Sequence, residues 1–119
     1  MKNAHSFHDY VLYDLLRNIS GVTSRAMFGG WGLYKDGVIF AIIADGALYF
    51  KVDGSNRADF EQLGSQPFVY GQGNHKPTTM SYWLVPEEVM ENKEELEKWI
   101  ERSVRVSRNA KKKFKRLTP

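Results

Sequence analysis

Residues 31–51 read WGLYKDGVIFAIIADGALYFK, three short runs separated by Asp36-Gly37 and Asp45-Gly46. Asp-Gly between apolar runs is a strong hairpin signal, because the tight turns that suit strand twist need positive φ at both central positions. The middle run, VIFAIIA at 38–44, is continuously apolar and reads as a central strand. The third run alternates, with Leu48 and Phe50 on one face and Tyr49 and Lys51 on the other. Two turns and three strands predict an antiparallel meander.

Outward from the meander, residues 6–18 read as a helix. Phe7, Tyr10, Val11, Leu15, Leu16 and Ile19 recur at helical spacing, and Ser6 with Asp9 forms a capping box. Residues 23–28 alternate loosely as a strand. Gly29-Gly30 interrupts the pattern, which predicts a β-bulge or a sharp strand corner rather than a phosphate cradle. Residues 56–63 form a short helix capped by Ser55 or Asn56 and stopped by Gly64. Residues 68–70 and 78–85 are two further strands flanking GQGNHKP, a polar loop. Pro86 opens a helical turn, Asn92 and Glu95 form a second capping box, and a last helix runs to about Phe114. Its apolar stripe is Leu96, Trp99, Ile100, Ser103, Val106, Ser107, Ala110 and Phe114. The expected fold is α+β: a three-stranded meander plus two strands in an antiparallel sheet, with an N-terminal helix, a short middle helix and a long C-terminal helix. The domain is expected over residues 1–116, with 117–119 as a tail or linker start.

Composition narrows the function. The 119 residues are 42% apolar and 13% aromatic, which suits one folded domain. The absence of cysteine excludes disulfides, cysteine-ligated metals and thiol nucleophiles. No apolar run approaches a bilayer span and the N-terminus has no signal-peptide core, so a cytoplasmic location away from membranes is expected. His5 and His8 are too few for a metal site, and His75 sits in the polar loop. GQGNHKP lacks the Gly-Lys-Ser/Thr of a phosphate-binding loop. No nucleophile, acid–base pair or cofactor cradle is visible, so neither catalysis nor a cofactor is expected. The strand aromatics are interleaved only with Lys35 and Lys51, which predicts core rings and cross-strand pairs, not a nucleic-acid stacking platform.

Charge is unevenly placed. The net charge is +3, yet residues 102–119 hold eight bases and no acid: Arg102, Arg105, Arg108, Lys111, Lys112, Lys113, Lys115 and Arg116. The preceding residues hold the other nine bases and all fourteen acids, a balance of −5. Such a tail is either a solvated helix end, favoured by the macrodipole, or a contact for a polyanion such as a DNA backbone.

Met27-Phe28-Gly29-Gly30-Trp31-Gly32-Leu33, followed by Phe40-Ala41, Asp45-Gly46 and Leu48-Tyr49-Phe50-Lys51, resembles the N-terminal domain of the TfoX/Sxy family of competence regulators. Met80-Ser81-Tyr82-Trp83 with Val85-Pro86 resembles the family's strand before its final helix. The resemblance covers about residues 5–116. It implies an α+β domain without catalytic residues, regulation of DNA-uptake genes, and partnership with the cyclic-AMP receptor protein or other transcription machinery. Long members carry a second, helical domain beyond this region, and the chain is expected to be either a short member or a fragment of a longer one.

These readings lead to a non-enzymatic regulatory domain acting through protein contacts and through DNA-backbone contacts of residues 102–116. The alternative is a stand-alone protein-interaction or homodimerisation module with no DNA affinity. A small-ligand sensor would need an apolar pocket behind the meander.

Overall fold

The computed structural model describes residues 4–27, 29–71 and 77–117. Helix α1 (Ala4–Tyr10) continues into a π-helical turn, Val11–Leu15. Strands β1 (Val22–Met27), β2 (Gly30–Lys35), β3 (Val38–Ala44) and β4 (Ala47–Lys51) follow. Then come helix α2 (Arg57–Gln62), strands β5 (Pro67–Tyr70) and β6 (Thr78–Leu84), and helices α3 (Glu87–Met90) and α4 (Lys93–Leu117). All six strands form one antiparallel sheet in the order β1-β2-β3-β4-β6-β5. The expected α+β class is what the chain adopts.

Both Asp-Gly pairs make the turns they predict. Asp36 and Gly37 have φ of 50° and 81°, Asp45 and Gly46 of 51° and 72°, so each turn is left-handed at both central positions. The meander is one strand longer than the sequence indicates. Met27 pairs with Gly30, so β1 and β2 form a hairpin, with Gly29 at φ 77° in its turn. Of the bulge or sharp strand corner expected at Gly29-Gly30, the chain forms the corner, a hairpin turn, and not a bulge. The irregularity in this ladder lies farther on: Leu33 pairs with Ala41 and Tyr34 with Ile39, leaving Phe40 as the extra residue.

The bulge explains the unbroken apolar run of β3. Phe40 and Ala41, adjacent in sequence, both enter the core cluster, together with Ile43. The same cluster takes Val11 and Leu16 from the N-terminal segment, Phe60 from α2, Val89 from α3, and Leu96, Trp99, Ile100 and Val104 from α4. Every described helix therefore packs against one face of the sheet. Ile42 points to the opposite face and is nonetheless buried.

Helix boundaries depart from the sequence reading in two places. α1 begins at Ala4, so Ser6 lies inside it rather than capping it. The amide of Leu16 donates to the Val11 carbonyl at 2.9 Å, a five-residue step. An ordinary helix would separate Val11 and Leu16 by well over a quarter turn; the wider turn lets both face the core. At the second predicted capping box, the Asn92 side chain accepts from the Glu95 amide at 3.1 Å.

Candidate functional site

Helix α4 carries the basic residues because its inner stripe is held by the sheet. Its buried residues Leu96, Trp99, Ile100, Ser103, Val104, Val106 and Ser107 leave Glu101, Arg102, Arg105, Arg108, Asn109, Ala110, Lys111 and Lys112 exposed. Ala110, expected in the apolar stripe, is therefore on the outside. Arg105, Arg108 and Lys112 recur at three- and four-residue steps, which places them on one helix face. Among the described residues none of Arg105, Arg108, Lys111 and Lys112 is in a salt bridge. Arg102 differs: its Nη1 donates to Asp59 Oδ2 of α2 at 2.8 Å. The side chains of Lys113, Lys115, Arg116 and Phe114 lie outside the described residues, as do those of His5 and Phe28 and the whole of 72–76, which includes His75.

Arg105 and Arg108 border a shallow groove of about 280 Å³ with Lys35, Asp36, Glu101 and Val104. The Lys35 ammonium caps the Ser20 carbonyl at 2.9 Å and lies 3.7 Å from Asp36. The groove mixes charges, and beyond it the exposed cations among the described side chains are Lys111 and Lys112.

The residues that carried the family resemblance meet elsewhere. Met27, Gly30 and Trp31 from the β1–β2 hairpin line a cavity of about 190 Å³ with Met80 and Tyr82 of β6. It opens on the sheet face away from the helices, where Ile42 and Phe68 complete the wall. Gly30 and Gly32 permit the close packing. A Cβ on Gly30 would collide with the Ile43 carbonyl, and one on Gly32 would fall 2.9 Å from the Met27 methyl carbon and 3.3 Å from the Tyr34 ring. On this face Lys51 Nζ lies 4.8 Å from the Tyr82 ring centroid, and the Arg25 guanidinium lies 5.4 Å from that of Tyr34. Burial lowers the pKa of Lys51 against a smaller opposing pull from Asp53. Burial, and then Tyr34, push the Tyr82 phenol up to about 12. The sequence count of interleaved cations passed over Arg25, whose place opposite Gly32 fixes it on this face.

The other family-motif contact is structural. His8 is buried against Trp31, with ring centroids 4.0 Å apart. Its Nδ1 donates to Asp9 at 3.0 Å, since a carboxylate only accepts, and its Nε2 shares a hydrogen bond with the Ser24 hydroxyl at 2.8 Å. Both ring nitrogens are occupied, and no group of three or more His, Cys, Asp or Glu that could hold a metal ion exists among the described residues. No described helix is long and apolar enough to cross a membrane.

Comparison with known proteins agrees with the fold. The TfoX N-terminal domain pattern matches residues 14–107, and the chain belongs to that family. A 58-residue stretch is 33% identical to the "DNA transformation protein TfoX1" of Aliivibrio fischeri. That match covers 49% of this chain and 28% of the relative, so the matched stretch spans under a third of that protein's length.

Proposed function

We propose that the chain is a non-enzymatic regulatory domain of a DNA-transformation (competence) system, and that α4 contacts the phosphate backbone of DNA. The observation that carries the DNA contact is the exposed set Arg105, Arg108, Lys111 and Lys112, in no salt bridge among the described residues, on a helix otherwise locked to the sheet. Phosphate contacts of this kind are sequence-independent, position a protein on a duplex and release counterions. Family membership and the likeness to a DNA transformation protein support the regulatory reading.

The test is fluorescence anisotropy with random duplex DNA across a salt series. Binding in the range of ~10⁻⁴ to 10⁻⁶ M that weakens steeply with salt is expected. Replacing Arg105, Arg108, Lys111 and Lys112 by Gln should flatten the salt slope by up to about 3–4. An unchanged slope rejects the contact.

A second reading rests on the opposite end of the same surface. Glu87, Glu88, Glu91, Glu94 and Glu97 are all exposed around α3 and the start of α4. This acidic ground repels DNA and suits a basic surface on a transcription partner, of which the cyclic-AMP receptor protein is one candidate, or on a second copy of the chain. Retention of such a partner by the Gln variant, with no DNA binding by either protein, favours this reading.

A further inference from the structure

The cavity on the helix-free face of the sheet has no part in the DNA reading. Its wall is almost wholly apolar, and it is made of groups that suit a flat ring. Phe68 and Tyr82 offer ring edges and faces, and Met27 and Met80 offer polarisable sulfur. At about 190 Å³ it exceeds the roughly 150 Å³ of an apolar cavity known to take up benzene. One ring or two fused rings fit that space.

Two cations share this face of the sheet with the cavity. Lys51 and Arg25 lie over tyrosines of the same face, and neither is in a salt bridge among the described residues. Lys51 donates to the Ser81 hydroxyl at 2.9 Å, which leaves two of its three protons for another acceptor. Asp53 attracts it without making a salt bridge. An apolar hollow beside such cations complements a ligand with an apolar body and an anionic end.

We propose that this cavity binds a small aromatic carboxylate, one or two fused rings in size. The rings lie among Met27, Ile42, Phe68 and Met80, and the carboxylate reaches Lys51, with Arg25 adding longer-range attraction. Nucleic-acid bases fit less well. Tyr82 is 7% exposed and Ile42 8%, so the centre of the face offers a hollow rather than ring surfaces for stacking. The assignment does not depend on whether α4 binds DNA.

The test uses 2-naphthoate and its neutral counterpart 2-naphthalenemethanol, followed by NMR shifts of the Met27, Ile42 and Met80 methyl groups. Binding of naphthoate with a Kd on the order of tens of micromolar is expected. The alcohol should bind about tenfold more weakly. Lys51→Met keeps the aliphatic stem and the backbone carbonyl of residue 51, and should erase the difference between the probes while leaving the alcohol's affinity unchanged. Ala44→Phe at the half-buried end of β3 fills the cavity from its wall and should abolish both. Ring probes that shift no cavity methyl at millimolar concentration overturn the site. Equal affinities in the unaltered protein overturn its anionic specificity. A dimer in sedimentation that buries this face and excludes both probes overturns it in favour of a second copy of the chain.

Discussion

Asn56 and Ser103 converge on one acceptor, the carbonyl oxygen of Lys51. Asn56 Nδ2 donates to it at 3.1 Å and Ser103 Oγ at 2.8 Å. The paired register between β3 and β4 ends at Ala41↔Phe50, so this carbonyl lies just past the ladder. Two side chains, one before α2 and one on α4, replace the missing strand partner. Asn56 also accepts from the Asp53 amide at 2.9 Å, which closes the turn out of β4.

Removing either donor alone leaves the carbonyl one partner. Ser103→Ala should cost about 1 kcal/mol, and Asn56→Ala about 1–3 kcal/mol because it also orphans the Asp53 amide. The double variant should cost more than the sum, since only then is the buried carbonyl left without either side chain. Denaturant unfolding of the three variants measures the coupling. Ser107 supplies the contrast: its buried hydroxyl has no partner among the described residues, so Ser107→Ala should leave stability unchanged or raise it.

The two glycines of the first hairpin should respond differently to alanine. At Gly30 the new methyl meets the Ile43 backbone carbonyl, which cannot retreat without breaking the β2–β3 ladder. A loss of about 1–3 kcal/mol, typical of overpacking, is expected, with shifts spreading into β3. At Gly29 the space is open and the cost is that of holding φ at 77°, about 1–2 kcal/mol, confined to the turn. Thermal unfolding combined with amide shift mapping separates the two patterns.

Tyr82 gives the fold an alkaline signature. Its pKa is raised to about 12 against 10 for an ordinary phenol, chiefly by burial. Between those values the folded state keeps a proton that the unfolded chain has lost. This contribution is therefore complete below pH 10 and lost as pH rises toward 12. In a phenolate absorbance titration Tyr82 should ionise after an ordinary exposed tyrosine. Tyr82→Phe should remove that late step and flatten the fall in stability over this range.

Arg102 and its basic neighbours should separate by function. The pair with Asp59 is 45% and 41% exposed at its two side chains, so Arg102→Gln should cost at most about 1 kcal/mol. Because that charge is already engaged, its loss should change the salt dependence of DNA binding less than loss of Arg105 or Arg108. A Kd series over ionic strength for the three single variants checks the order.

Much of this architecture was legible locally. The Asp-Gly turns, the alternation of β4 and the Asn92 cap depend on residues within a few positions of one another. The first hairpin was not legible as such, because glycine between two extended runs also fits a bulge. The bulge at Phe40 was hidden inside an apolar run whose two faces look alike in sequence. The basic stripe was visible as composition, but the ion pair that separates Arg102 from the rest spans 43 positions. The cavity was not visible at all. Met27, Ile42, Phe68 and Met80 come together only through a strand order that places β6 between β4 and β5.

The ordering of charge along α4 also has a consequence at long range. Acids cluster at its start and cations at its end, against the direction of the backbone dipole and with far more charge. The molecule therefore carries a permanent electric moment along its longest helix. Near a polyanion the field exerts a torque before any atoms touch, turning the basic tip forward and the glutamate-rich end away. Productive encounters are then selected by rotation as well as by diffusion, and raising the salt should slow association more than it hastens release.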